Sequence, residues 1–139
     1  MPRIIRRNPA ARRWLRDQSK AKRTHVGADG IEVKGHCVGV VGRAFTGGPA
    51  GFYDAHAMQD AVRKAGKLRR GKAPVGAIVF WKGGKHGHVA VKTYLGTIWT
   101  NDLPVTGLIG RVAFSDPETK WGYTYTGWCW ATDVPGWYL

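Results

Sequence analysis

Acidic residues are scarce in this chain. Nine Asp and Glu stand against 22 Lys and Arg in 139 residues, a formal charge of +13 at pH 7. An imbalance of that size speaks to partners rather than to fold. It points to nucleic acid, an anionic membrane surface or the acidic polymers of a bacterial envelope. Cysteine is scarce as well. Cys37 and Cys129 are the only two, too few for a disulfide framework, and a chain of this length can bury a core without one. No apolar run approaches the roughly 20 residues that a helix needs to cross a bilayer. The first twenty residues are basic but carry no apolar h-region and no small-residue cleavage site, so they read as no signal peptide. Internal repeats are missing too.

Glycine and tryptophan are plentiful, at 20 and seven residues. Together they suggest strands and tight turns. Residues 1–26 read as a basic arm or short surface helix. Asn8-Pro9 would open that helix, and Ala11, Trp14 and Leu15 form a thin apolar stripe. From residue 27 to 139 the texture is that of one globular domain. The spacing predicts a helix from Cys37 to about Phe45, ended by Gly47-Gly48-Pro49, in which Gly39 and Gly42 permit close approach. A second helix is expected from about Asp54 to Ala65, stopped by Gly66. Five strands follow, at Gly76–Trp81, within HGHVAVKTY, within GTIWTND, at Gly107–Phe114 and at Tyr123–Trp130. Helices first and antiparallel strands after is the α+β pattern.

Cys37 opens its helix, where unpaired N–H groups and the helix dipole lower a thiol pKa. Other uses of Cys37 stay open at this point: a buried small side chain, a disulfide with Cys129, or half of a metal pair. A nucleophile needs an imidazole, and HGHVAVKTY offers His86 and His88. A third polar group should orient that ring. The hairpin through Leu95-Gly96 brings Asp102, or with a one-residue slip Asn101, beside His88. His86 and His88, two apart on a strand, would also share a face as half of a zinc site, but further ligands are lacking. No metal and no cofactor is expected.

A helix-borne cysteine, then PVGAIVFW, GHVAV, a strand ending in TND and YTGW, resembles the CHAP and NlpC/P60 papain-like cysteine peptidases. The likeness covers roughly residues 35–130. It implies a papain-like fold, N-terminal helices on a central antiparallel sheet of about five strands. It also implies Cys37 as nucleophile, His88 as base and Asp102 or Asn101 as orienting group. The family's activity is cleavage of bacterial peptidoglycan, often in bacteriophage endolysins. The implied partners are peptidoglycan and anionic wall polymers, with no membrane span. Action would be at the cell wall after release, or from a virion. A rival reading keeps the fold in a virion or structural component whose basic N-terminus grips DNA or a neighbouring subunit. A third is a basic nucleic-acid-binding module.

Overall fold

The computed structural model describes residues 2–139. Four helices and seven strands follow in the order α1 (Ala10–Lys20), β1 (His25–Val26), β2 (Ile31–Glu32), α2 (Cys37–Thr46), α3 (Ala55–Lys64), β3 (Ile78–Lys82), β4 (His88–Lys92), β5 (Thr97–Asn101), β6 (Ile109–Ala113), α4 (Asp116–Trp121) and β7 (Thr124–Cys129). The α+β class and the five main strands match the sequence reading. The short β1–β2 pair and α4 are additions.

The main sheet has the order β6-β5-β4-β3-β7, and every neighbouring pair is antiparallel. Side chains alternate across it. Ile78, Phe80, Val89, Val91 and Cys129 face the layer of α1, α2 and α3 and join its core. Val79, Trp81, Ala90, Ile98 and Val112 face the other way. There they pack with Phe114, Trp121, Tyr123, Tyr125 and Trp128. Both faces are thus covered, which is why the central strands read as apolar runs.

Helix α2 lies over β4 and carries Val38, Val40, Val41, Ala44 and Phe45 into the core. Gly42 is needed there. A Cβ at that position would stand 2.7 Å from both the Ala50 nitrogen and the Gly48 oxygen. Gly47 ends the helix at φ 76°, a conformation that suits glycine, and donates to the Arg43 carbonyl. In α3 the Asp54 carboxylate caps the first turn by accepting from Ala57 N–H. Its buried positions are Ala55, Met58 and Val62.

The basic N-terminus holds the expected short helix, α1, but that helix is not a surface element, and residue 26 does not divide the chain. Ala11 and Leu15 of α1 are 0% and 1% exposed and belong to the main core, together with Ile4. Ile4 N–H donates to the Tyr138 carbonyl at 2.6 Å, and the Ile5 and Arg6 N–H groups donate to Phe45 O. The stripe is thin by sequence, yet it enters the core. Two fully enclosed apolar side chains and a backbone knitted to both α2 and the C-terminus outweigh its thinness. Asn8 also departs from expectation. Its side chain accepts from Arg12 Nε rather than capping the helix.

Leu15→Ala should therefore behave as a core truncation, costing about 2–5 kcal/mol. Urea unfolding measures it. A change within about 0.5 kcal/mol, as for an ordinary surface site, would restore the arm.

Candidate active-site cleft

Cys37 occupies the first turn of α2 and is partly exposed. Two cavities meet at it. One, of about 420 Å³, runs over His36, Val38, Phe52, Tyr53 and Asp54. The other, of about 370 Å³, is lined by Lys85, Gly87, His88, Asn101, Asp102, Trp121 and Tyr123. Gly35, Cys37 and His86 line both. The sulfur thus sits at the waist of a two-sided cleft, a shape that could hold an extended substrate on either side of a reacting bond.

The loop into Cys37 is held by the end of β5. Asn101 Nδ2 donates to the Val33 carbonyl at 2.9 Å. Asp102 Oδ2 accepts from Gly35 N–H at 2.8 Å, and Oδ1 accepts from Gly107 N–H at 2.7 Å. Asn101 Nδ2 also reaches Asp102 Oδ2 at 3.2 Å, while Asn101 Oδ1 is enclosed without a partner among the described residues. Asp102 has φ 64°, so the strand has already turned away there. Both expected orienting groups are therefore in the cleft, but neither bonds the His88 ring. They hold the backbone that presents the thiol.

The ring of His88 is held by Thr100. Pairing of Val91 with Trp99 and of Lys92 with Ile98, continued along the strands, brings residue 102 opposite His88. Thr100 is then the diagonal neighbour on the same face. Its Oγ1 lies 2.6 Å from His88 Nε2 and 3.1 Å from the Asn101 carbonyl. A hydroxyl has one proton. Given to the Asn101 carbonyl, it leaves Oγ1 to accept from Nε2–H, so Nδ1 carries the lone pair. Nδ1 has no hydrogen-bond partner among the described residues. Trp121 stands edge-on to the ring at 4.9 Å between centroids, and Trp81 lies at 5.8 Å. Residues 100 and 121 were missed by sequence reasoning. The period-two rule held a signal for Thr100, since positions 100 and 102 share the His88 face and Asp102, at φ 64°, has turned out of the strand. Nothing in the sequence announced Trp121, which depends on α4.

Burial sets the protonation of both groups. It pushes the Cys37 thiol up to about 11; the N–H groups of Val89 and Val38 oppose this and the Asp102 charge adds to it. The helix-mouth effect expected from sequence is real but outweighed by desolvation. Burial likewise lowers His88 to about 3. The resting pair is a neutral thiol and a neutral imidazole, not a thiolate–imidazolium pair. No hydrogen bond links Cys37 to His88 among the described residues.

His86 does not share a face with His88. It precedes β4, with Gly87 at φ 72° between them. Its Nδ1 lies 2.9 Å from Asp54 Oδ2. Asp54 is held below its usual pKa: burial alone would raise it, but hydrogen bonds from His86 and the Ala57 N–H prevail. No group of three or more His, Cys, Asp or Glu able to hold a metal ion occurs among the described residues. Cys129 is a free thiol, fully buried in the core, and burial pushes its pKa up strongly.

Set beside known proteins, the chain matches no family model, no curated protein and no solved structure. Among the described residues, no helix is long and apolar enough to cross a membrane.

Two measurements follow from the protonation of the pair. The rate of Cys37 alkylation by iodoacetamide should climb steadily with pH and show no plateau near neutrality. A plateau between pH 5 and 7 would reveal a stored thiolate. For His88, the unfolded chain binds a proton below its usual 6.5, whereas the native state waits until about 3. Stability is thus full above pH 6.5 and falls as pH drops through that interval, by roughly 1.4 kcal/mol per unit. Urea unfolding at pH 7, 6 and 5 should show this slope, and His88→Gln should flatten it. An equal slope in the variant would show that His88 is not the group responsible.

Proposed function

We propose that this protein is a peptidoglycan-degrading cysteine hydrolase of papain-like architecture, either an endopeptidase or an amidase. The observation that supports it best is the shared cleft. A helix-mouth thiol and a histidine whose Nε2 is tied to Thr100 line one cavity, with Nδ1 left without a partner. The motifs GAIVFW and GHVAV, with their likeness to the CHAP and NlpC/P60 peptidases, point to the same chemistry. The high positive charge suits an anionic wall.

The chemistry then runs from a neutral pair. As Cys37 Sγ attacks the amide carbonyl carbon, its proton passes to His88 Nδ1. No hydrogen bond links the two at rest, so the transfer requires the sulfur and the ring to approach once substrate is bound. The N–H groups at the mouth of α2 face the developing oxyanion. Collapse breaks the C–N bond. The amine leaves with the proton from His88, and a thioester remains on Cys37. Water then attacks the thioester, His88 takes its proton, and the carboxylic acid departs as the thiol is restored. Thr100 keeps Nε2 protonated throughout, and Asn101 and Asp102 keep the nucleophile's loop in place.

A second reading has support from the same site. A high thiol pKa and an unbonded Cys37–His88 pair also suit a virion or structural component that keeps this architecture without turnover. Release of soluble fragments from purified peptidoglycan separates the two.

Cys37→Ala should abolish that release with the fold intact by circular dichroism, and Cys129→Ser should leave it near normal. Thr100→Val should lower kcat, by less than the roughly 100- to 10,000-fold that a general base itself contributes, while Thr100→Ser recovers most of it. Lytic activity in folded Cys37→Ala protein would refute the hydrolase reading. Equal activity in Thr100→Val and wild type would refute only the role of Thr100.

A further inference from the structure

A second site lies away from the Cys37 cleft and shares none of its lining residues. It is a groove of about 180 Å³ between α1 and the β4–β5 hairpin, lined by Arg12, Arg13, Arg16, Arg111, Tyr94 and Trp99 among others. Its charge follows from the helix. With Ala11 and Leu15 turned into the core and Arg12 buried beside them, Arg16 and Arg13 lie further round α1 and are exposed to solvent. Arg111 of β6 comes from the other wall. Its guanidinium donates to Thr97 Oγ1 at 2.8 Å and to the Tyr94 carbonyl at 3.3 Å. The carboxylate paired with this cluster is Asp17, 3.5 Å from Arg16 with both side chains well exposed.

The groove also has an aromatic floor. Tyr94 is 59% exposed although it lies at a hairpin turn where a polar residue would suffice. Arg12 covers one side of it, with the guanidinium carbon 4.8 Å from the ring centroid. Arg12 itself is buried and anchored on Asn8 and on Thr93 Oγ1. The ring is thus propped from behind and open in front. Trp99 is half-buried beside it.

Phosphate recognition needs the arginines but no aromatic platform. A strand of unpaired bases needs both: guanidinium groups along the backbone and ring faces for the bases. We infer that this groove binds single-stranded nucleic acid, with Arg13, Arg16 and Arg111 on consecutive phosphates and Tyr94 stacked on a base. The inference does not depend on the hydrolase reading.

Fluorescence anisotropy with a labelled oligo-deoxythymidylate of about 12 nucleotides tests it, with NaCl varied from about 50 to 200 mM. Arg13→Gln/Arg16→Gln should weaken binding at least roughly tenfold and reduce the salt slope by about 1.4, two phosphates' worth on a single strand. Tyr94→Ala should weaken it roughly tenfold with little change in slope. Arg63→Gln/Lys64→Gln, on exposed positions of α3, serves as the control for overall charge and should have a much smaller effect. Circular dichroism checks that each variant folds. Equal losses from the control pair and the groove pair would overturn the site. So would an abasic strand, a polyphosphate or a wall teichoic acid of matched charge that binds as tightly as the oligonucleotide and ignores Tyr94→Ala. That last result would mark the groove as a plain polyanion contact.

Discussion

The position of the thiol depends on a small polar clamp. Asn101 and Asp102 reach from the end of β5 to Val33 and Gly35, and so tie the sheet to the loop that begins α2. Cys37 comes two residues after the last tie. Helix α2 is fixed to the sheet at its other end by packing and by the backbone of residues 5 and 6 on Phe45. Between these anchors it has little freedom to slide. The clamp is made of hydrogen bonds to backbone, one with a charged acceptor, and such bonds are stronger and more directional than apolar contact. Apolar packing alone holds a helix on a sheet; it does not place one sulfur atom.

The same segment shows how neighbouring polar residues divide between the two faces of one strand. Thr100 turns to His88, Asn101 turns to the helix layer, and Asp102 leaves the strand altogether. The imidazole is consequently served by a hydroxyl rather than a carboxylate. A carboxylate on the ring would favour imidazolium. A hydroxyl with its proton committed elsewhere only selects a tautomer. With the thiol and the ring both desolvated, this arrangement stores no charge in the resting site.

Positive charge is deployed in more than one way on this surface. Arg43 is buried against Asp29 and Arg69 pairs with Asp133 at 2.5 Å while covering Trp128. These are structural uses, in which the guanidinium plane and its stem fill space beside aromatic or apolar groups. Arg13, Arg16 and Arg111 have no such duty in the core. Their convergence on one groove, beside two aromatic rings, is a property of how α1 docks, since α1 and β6 are far apart in the chain.

Periodicity and punctuation were enough to read the α+β class, both central helices and all five main strands. Gly47, Asp54 and Gly66 mark boundaries by local backbone chemistry that needs no tertiary context. The position of Cys37 at a helix mouth was likewise visible in the order of motifs. The N-terminal helix was legible but its burial was not, because three apolar residues in a basic stretch look marginal until the chain that covers them is known. The partner of the His88 ring was missed because it depends on strand register and on where a strand ends, and a shift of one residue reverses every side chain. The protonation of Cys37 was misjudged for a related reason. A helix terminus is a local feature with a local effect on a thiol, whereas desolvation is the sum of everything packed around the sulfur, and only the folded chain determines that sum.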